Sequence, residues 1–562
     1  MPRGICTNPA QIVAQKSGEL CLLSKSVAEF FIAYDRPPAT AIGRRGIGHM
    51  RRRDFLQTSG LLAGGLAFGG VPGPARAEDA PRRGGTLIWG HSETTQNLDI
   101  HQTGTASTLR LLQNVHDTIV TVDHQFRILP NVADSFDVSK DLLTYTFKLR
   151  SDVKFHTGAP VTSADVVYSF ERVKNPKTGA VNFDVFKDVT AIEAPDARTV
   201  VVRMKAPFAP FLARLAELGA GAILPKDSGD MQGKAPVGCG PFKFVSREFG
   251  NKVELKAFAD YWQGAPYLDG VLSHEVTEET VRLTGLQTGQ FHLINDIPMD
   301  RVAKVKQDPK LQVLSWFPLC WDFLNFNHAR KPFDDPRVRK ALDLMVDKEA
   351  LMQGALWGQG VVTGSPSFPT SASFDPAIKP RKQDFDAAAA LLKEAGFGPG
   401  QLQFTFKVTT NYPYHVQAAQ IMQAWFEQGG VKATTQQLTW ADWLSQCWVH
   451  RDFEVTMMNF FTLWEPDFLY YTLWNSTGAF NYRNIKDATV DELTEKARRS
   501  TDPTERAAIY KQVQQRIHDE THDVILWFRN GTVGAQQSVG GLDKLVHPNG
   551  SNLMFRNVWL KA

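Results

Sequence analysis

Apolar and polar residues alternate at 142–149 and again at 199–204, the period of a strand with one buried face. The run Thr86-Leu87-Ile88-Trp89, after Arg82-Arg83-Gly84-Gly85, reads as a first strand, and 242–258 reads as extended chain opened by the turn Gly238-Cys239-Gly240-Pro241. Elsewhere the apolar spacing is helical. Thr162 is placed to cap a helix over 161–173, with Asp165 in its first turn and Val166, Val167 and Phe170 on one face. A single helix is predicted over 336–356, opened by Pro336 and carrying Val338, Ala341, Leu342 and Met345 inward. Another covers 384–395 and is closed by Gly396. Helices at 416–428 and 503–520 then alternate with strands at 431–438 and 524–527. The mixture predicts α/β lobes, and 562 residues exceed what one core supports, so two or three lobes are expected.

The N-terminal segment stands apart from this pattern. Arg52-Arg53-Asp54-Phe55-Leu56 precedes a Gly-rich apolar run over 61–71 and the small-x-small triplet Ala75-Arg76-Ala77, the layout of a twin-arginine export signal. The run is too short and too interrupted by glycine to span a bilayer. Residues 1–49 do not resemble an export leader, Met50 stands just before the arginines as a candidate start, and the mature chain is expected to begin near Glu78. This segment also explains the overall charge of +3. Residues 1–77 hold ten Lys/Arg against four Asp/Glu, leaving 52 basic and 55 acidic residues beyond them. The remainder is slightly acidic and offers no basic field for nucleic acid or an anionic membrane. Cys239, Cys320 and Cys447 allow one disulfide at most, so the chain is no disulfide scaffold.

Motifs for catalysis are poor. His518 and His522 are four apart, but the Glu between them is misplaced for a zinc protease helix. No nucleophile elbow and no P-loop occur, and His156 reads as a loop residue after a strand. No metal, cofactor or enzymatic activity is expected. The densest chemistry is aromatic: Trp440, Trp443, Trp448, Phe460, Phe461, Trp464 and Trp474 crowd 437–474, of which Trp443, Trp448 and Trp474 are assigned to the core.

Ordered blocks of sequence carry a family likeness. VADSFDVSKDLLTYTFKLRSDVKFHTGAPVTSADVVYSFERV (132–173), PVGCGPFKFVSREFGNKVELKAFADYW (236–262), FNHARKPFDDPRVRKALDLMVDKEAL (326–351), FDAAAALLKEAGF (385–397) and DPTERAAIYKQVQQRIHDETHDVILWF (502–528) resemble the family 5 extracellular solute-binding proteins, the dipeptide-, oligopeptide- and nickel-binding group of ABC importers. The resemblance implies a two-lobed α/β periplasmic binding protein fold with discontinuous lobes, an extra subdomain and a ligand cleft between lobes. The expected division places 78–125, 237–330 and 524–562 in lobe I, 126–236 in its subdomain and 331–523 in lobe II. It also implies a periplasmic monomer that captures a small molecule or short peptide and hands it to the permease subunits in the inner membrane. A secreted hydrolase, or a sensing or chaperone protein on the same scaffold, is the alternative.

The same resemblance locates a candidate site. Trp440 matches an aromatic that peptide binders place against ligand, and Trp321, Asn459, Phe460, Phe461, Trp464, Thr409 and Asn411 are the other candidate contacts. The acid that pairs with a peptide's amino group in such binders falls on Thr462 or Leu463 here, and the arginine before helix 416–428 is replaced by Thr409-Thr410-Asn411. Glu465 is an alternative acid. With both charged anchors missing, a ligand less charged than an ordinary dipeptide is expected.

Overall fold

The computed structural model describes residues 80–562 except 318–319, 368, 370, 462–464, 549–551 and 562. The expected signal over 1–77 therefore lies outside the described residues. Strand Thr86–His91 runs parallel to both of its neighbours, Gly270–Glu275 and Leu293–Asn295. Around it forms a seven-stranded sheet in the order Leu311–Trp316, Gly531–Gln536, Leu293–Asn295, Thr86–His91, Gly270–Glu275, Lys252–Ala257, Phe242–Glu248. The extended chain at 242–258 is thus a hairpin rather than one strand.

A second, six-stranded sheet has the order Gly360–Val362, Asp523–Arg529, Cys320–Phe326, Val455–Phe461, Gln403–Thr409, Lys432–Leu438. The chain passes between the sheets twice. Leu311–Trp316 pairs in the first and the next strand, Cys320–Phe326, in the second, and Asp523–Arg529 returns to Gly531–Gln536 through Asn530. Strands Cys320–Phe326 and Asp523–Arg529, which sequence assigned largely to lobe I, therefore belong to the sheet of lobe II. Their burial, complete along Cys320–Phe326 and broken only at Arg529 in the other strand, reflects a central position covered on both faces.

A third, four-stranded antiparallel sheet, Ala133–Val138, Thr144–Leu149, Thr199–Met204 and Val189–Asp196 in that order, packs Tyr145, Phe147, Val200 and Val202 against Phe170 of helix Ser163–Lys174. That helix starts where its sequence predicts: Thr162 and Asp165 form a capping box, and Asp165 also accepts from Lys226 N at 2.9 Å. The helix predicted over 336–356 is two helices, Pro336–Leu344 and Lys348–Leu356. Asp347 interrupts it by accepting from Ala350 N at 3.0 Å, which caps a new helix. His156 lies against the turn that follows 237, with Nε2 3.0 Å from Gly240 O and Nδ1 accepting from Gly238 N at 3.3 Å. It is structural. Cys239, Cys320 and Cys447 are buried free thiols.

The four-stranded sheet and its flank touch lobe II at helices Pro466–Trp474 and Ala488–Arg499. Arg499 Nη1 lies 3.2 Å from Asp188 Oδ2, Ala209 N donates to Arg498 O at 2.9 Å, and the Arg214 guanidinium lies 4.4 Å from the Phe468 ring centroid.

Candidate ligand cleft

Alternation along Cys320–Phe326 sorts its side chains to two faces. Trp321 and Phe323 turn into a core of lobe II, where Trp321 is fully enclosed and stacks on Trp474 at 5.6 Å. Enclosure there leaves Trp321 no free face, so it supports the sheet rather than touching a ligand. Asp322 turns the other way, also fully buried, and collects donors: Trp527 Nε1 at 2.9 Å, Tyr414 OH at 3.3 Å and His415 Nε2 at 2.6 Å. Asn459 sits opposite Asp322 in the next strand and donates to Tyr414 OH at 2.9 Å. Tyr414 is thereby fixed from two strands, at the first turn of helix Pro413–Gln428.

Arg529 shares the strand face of Trp527 and is the last residue before the crossing at Asn530. Its guanidinium lies 5.1 Å from the Tyr414 ring centroid, and Nη2 is 3.7 Å from Cys320 Sγ. Among the described residues it has no carboxylate at ion-pair distance, and its buried Nε has no hydrogen-bond partner. Burial works against its charge, but the carboxylates of Asp322 and Asp296, though not paired with it, favour its protonated form.

The facing lobe contributes charge from the end of strand Thr86–His91 and the loop after Leu293–Asn295. Arg110 pairs with Asp296 at 3.1 Å, and Asp296 Oδ2 also accepts from Ser92 Oγ and Asn295 Nδ2, each at 2.7 Å. Burial alone would raise the Asp296 carboxyl, but Arg110, Arg529 and the Ser92 hydroxyl hold it well below the usual carboxylate range. The loop bearing Asp296 is anchored beneath by Arg282, which donates to the carbonyls of Asn295, Asp296 and Val276. Glu93, next to Ser92, makes no hydrogen bond or ion pair among the described residues. Burial pushes its carboxyl up, and its charge acts on Tyr412 of lobe II while Arg110 and Arg529 act on it. The two lobes thus face each other through charged and aromatic groups, with Glu93 on one side and Arg529, Tyr412 and Tyr414 on the other.

Trp440 opens the short helix Trp440–Trp443, whose cap Thr439 accepts from Asp442 N at 3.2 Å. It stacks flat on the buried Trp443 at 5.5 Å, meets Tyr412 edge-on at 6.1 Å and leaves 37% of its surface open. A ring backed on one face and open on the other suits a stacking contact. Phe460 is half-buried and packs with Trp448 and Phe480, 6.4 and 5.3 Å away. Thr409 is fully buried, and its hydroxyl accepts from the backbone N of the exposed Asn411 at 3.2 Å. It shapes a turn. The side chain of Phe461, and Trp464 with Thr462 and Leu463, lie outside the described residues. Glu465 is not a spare acid: it is buried, accepts from Asp467 N at 3.0 Å as a helix cap and forms an ion pair with Arg506. Sequence reasoning missed Glu93, Arg529, Tyr412 and Tyr414. The two tyrosines flank Pro413 at a readable helix start, whereas nothing local marks the two charges.

The model of the bacterial extracellular solute-binding proteins, family 5, matches residues 127–481. The chain belongs to this family. It is the solute-binding protein of an ABC importer, and its family consists of binding proteins rather than catalysts. Among curated relatives, the glutathione-binding protein GsiB of Pectobacterium atrosepticum is 28% identical over 476 residues, covering 82% of this chain and 91% of that protein. Among solved structures, DppA of Helicobacter pylori in complex with the peptide STSA is 26% identical with a TM-score of 0.77, covering 86% of this chain and 99% of that one. AgaA of A. tumefaciens R10 in complex with agropinic acid is 27% identical with a TM-score of 0.75, covering 85% and 99%. These likenesses agree with the two-lobed α/β fold of periplasmic binding proteins.

Proposed function

We propose that this family 5 protein is exported through the twin-arginine route and captures a small peptide-like solute between its lobes for the inner-membrane permease. The observation that carries the solute class is the facing of Glu93 against Arg529 and the tyrosines, a cleft wall that combines charged groups with aromatic rings. Relatives named for glutathione, a peptide and an organic acid support the reading. Mass spectrometry of the small molecule released when the purified protein is denatured tests it. An organic solute with an amide bond or amino-acid skeleton is expected, and a sugar or a metal chelate would overturn the class. Export has a separate test. Replacing Arg52 and Arg53 by Lys is expected to leave precursor in the cytoplasm, because an ammonium cannot reproduce the guanidinium fork; undiminished periplasmic yield on immunoblots would contradict it.

A further inference from the structure

The charged groups of the cleft are unequally matched. Arg110 and Asp296 satisfy each other, Asp322 is enclosed by Trp527, Tyr414 and His415, and Arg282 is spent on backbone carbonyls. Two charges remain. Among the described residues Arg529 directly meets a tyrosine ring and the Cys320 thiol, which burial pushes up to about 12 and keeps neutral, while the carboxylates of Asp322 and Asp296 act on it only from beyond ion-pair distance. Glu93, from the opposite lobe, is half-buried and unpaired among the described residues. The two do not reach each other at ion-pair distance, yet each feels the other's field. A guanidinium and a carboxylate held apart in a desolvated gap cost free energy unless a third body carrying both complementary charges lies between them.

We propose that Arg529 anchors a carboxylate of the captured solute and that Glu93 receives its ammonium, so that the cleft selects amphoteric solutes. This deepens the reading above and rests on it. It also replaces the expectation, drawn from the missing anchors at 409–411 and 462–463, that the ligand is less charged than a dipeptide: the charges come from other segments. The planar fork of Arg529 suits bidentate pairing with a carboxylate. Tyr414, fixed by Asn459 and Asp322, sets its ring 5.1 Å from the guanidinium. Because Arg529 ends its strand at a crossing and Glu93 follows a strand of the other sheet, a solute spanning both joins the lobes.

Calorimetry on the mature protein, freed of retained solute by unfolding and refolding, uses glutathione, Ala-Phe, Ala-Phe amide and N-acetyl-Ala-Phe as probes. Glutathione or Ala-Phe is expected to bind, with the amide and the N-acetyl form weaker than Ala-Phe by about tenfold or more, or with no detectable binding of either if glutathione alone is taken. Arg529→Gln is expected to weaken the binding probe by a similar factor and to erase any preference for acid over amide. Glu93→Gln is expected to erase the preference for a free amine. Thermal unfolding of each variant checks its fold, and Arg529→Lys, which keeps the charge without the fork, stands in if the glutamine variant does not fold. Equal binding of acid and amide, or an Arg529→Gln protein of native unfolding temperature that still prefers the acid, overturns the anchor while leaving solute capture intact. No binding of any probe at about 1 mM overturns the amphoteric assignment, and the mass-spectrometric identity of the retained solute then decides the broader reading.

Discussion

Arg483→Ala is expected to lower the unfolding free energy by about 3–5 kcal/mol, the scale for stripping one partner from a buried ion pair. Arg483 and Asp523 are both fully enclosed, with Nη1 and Oδ2 2.7 Å apart. Asp523 also accepts from Trp474 Nε1 and Asn325 Nδ2, each at 2.8 Å, and Arg483 donates to the Leu473 carbonyl. Burial already pushes the Asp523 carboxyl up, with Arg483 opposing it; without the guanidinium the acid is left to protonate or to stay charged at high cost. Urea denaturation at neutral pH measures the effect. Changing Asp523→Asn in the same protein is expected to recover part of the loss, since no lone charge then remains. A loss below about 1 kcal/mol for Arg483→Ala would show that the two neutral donors suffice to hold Asp523.

Trp440→Ala is expected to weaken binding of the captured solute by about 1–3 kcal/mol, roughly 5- to 150-fold, the usual range for deleting a large aromatic contact. Its effect on stability is expected to be smaller, because more than a third of the ring is open and Trp443 beneath it keeps its own bond from Nε1 to Thr456 Oγ1 at 2.9 Å. Competition calorimetry against the identified solute separates the two. Unchanged affinity would place the ligand elsewhere in the cleft, nearer the crossings than the Trp440 helix.

The scaffold was readable because its punctuation is local. Thr162 and Asp165, Asp384 and Asp502 each cap the helix that follows them, and the pattern of strands at 86–91 and 199–204 is visible in single stretches of sequence. The break at Asp347 was missed because the apolar spacing on its two sides is nearly in phase, so periodicity alone runs through a capping residue that ends it. The site was legible only in its aromatic part. Trp440 announces itself as a large ring at a helix start, but Glu93 and Arg529 are far apart in sequence and come to act on each other only because the strands that precede them lie in two different sheets. Alternation says that Arg529 shares a face with Trp527; it cannot say what that face looks onto. Glu465 failed in the opposite way. It looked free because its partner Arg506 lies on another helix.

The contacts between lobe II and the four-stranded sheet bear on how much of the time the lobes stay together. The Arg499–Asp188 pair is solvent-touched on its arginine side, and such pairs contribute at most about 1 kcal/mol. Singly, such a pair does little to hold the lobes together when no solute is bound. A solute bound at micromolar strength contributes about 8 kcal/mol, and whatever part of that depends on both lobes shifts the closed population by orders of magnitude. Occupancy is thereby written into the outline of the protein, so a permease that grips both lobes at once can sort loaded from unloaded molecules without touching the cargo.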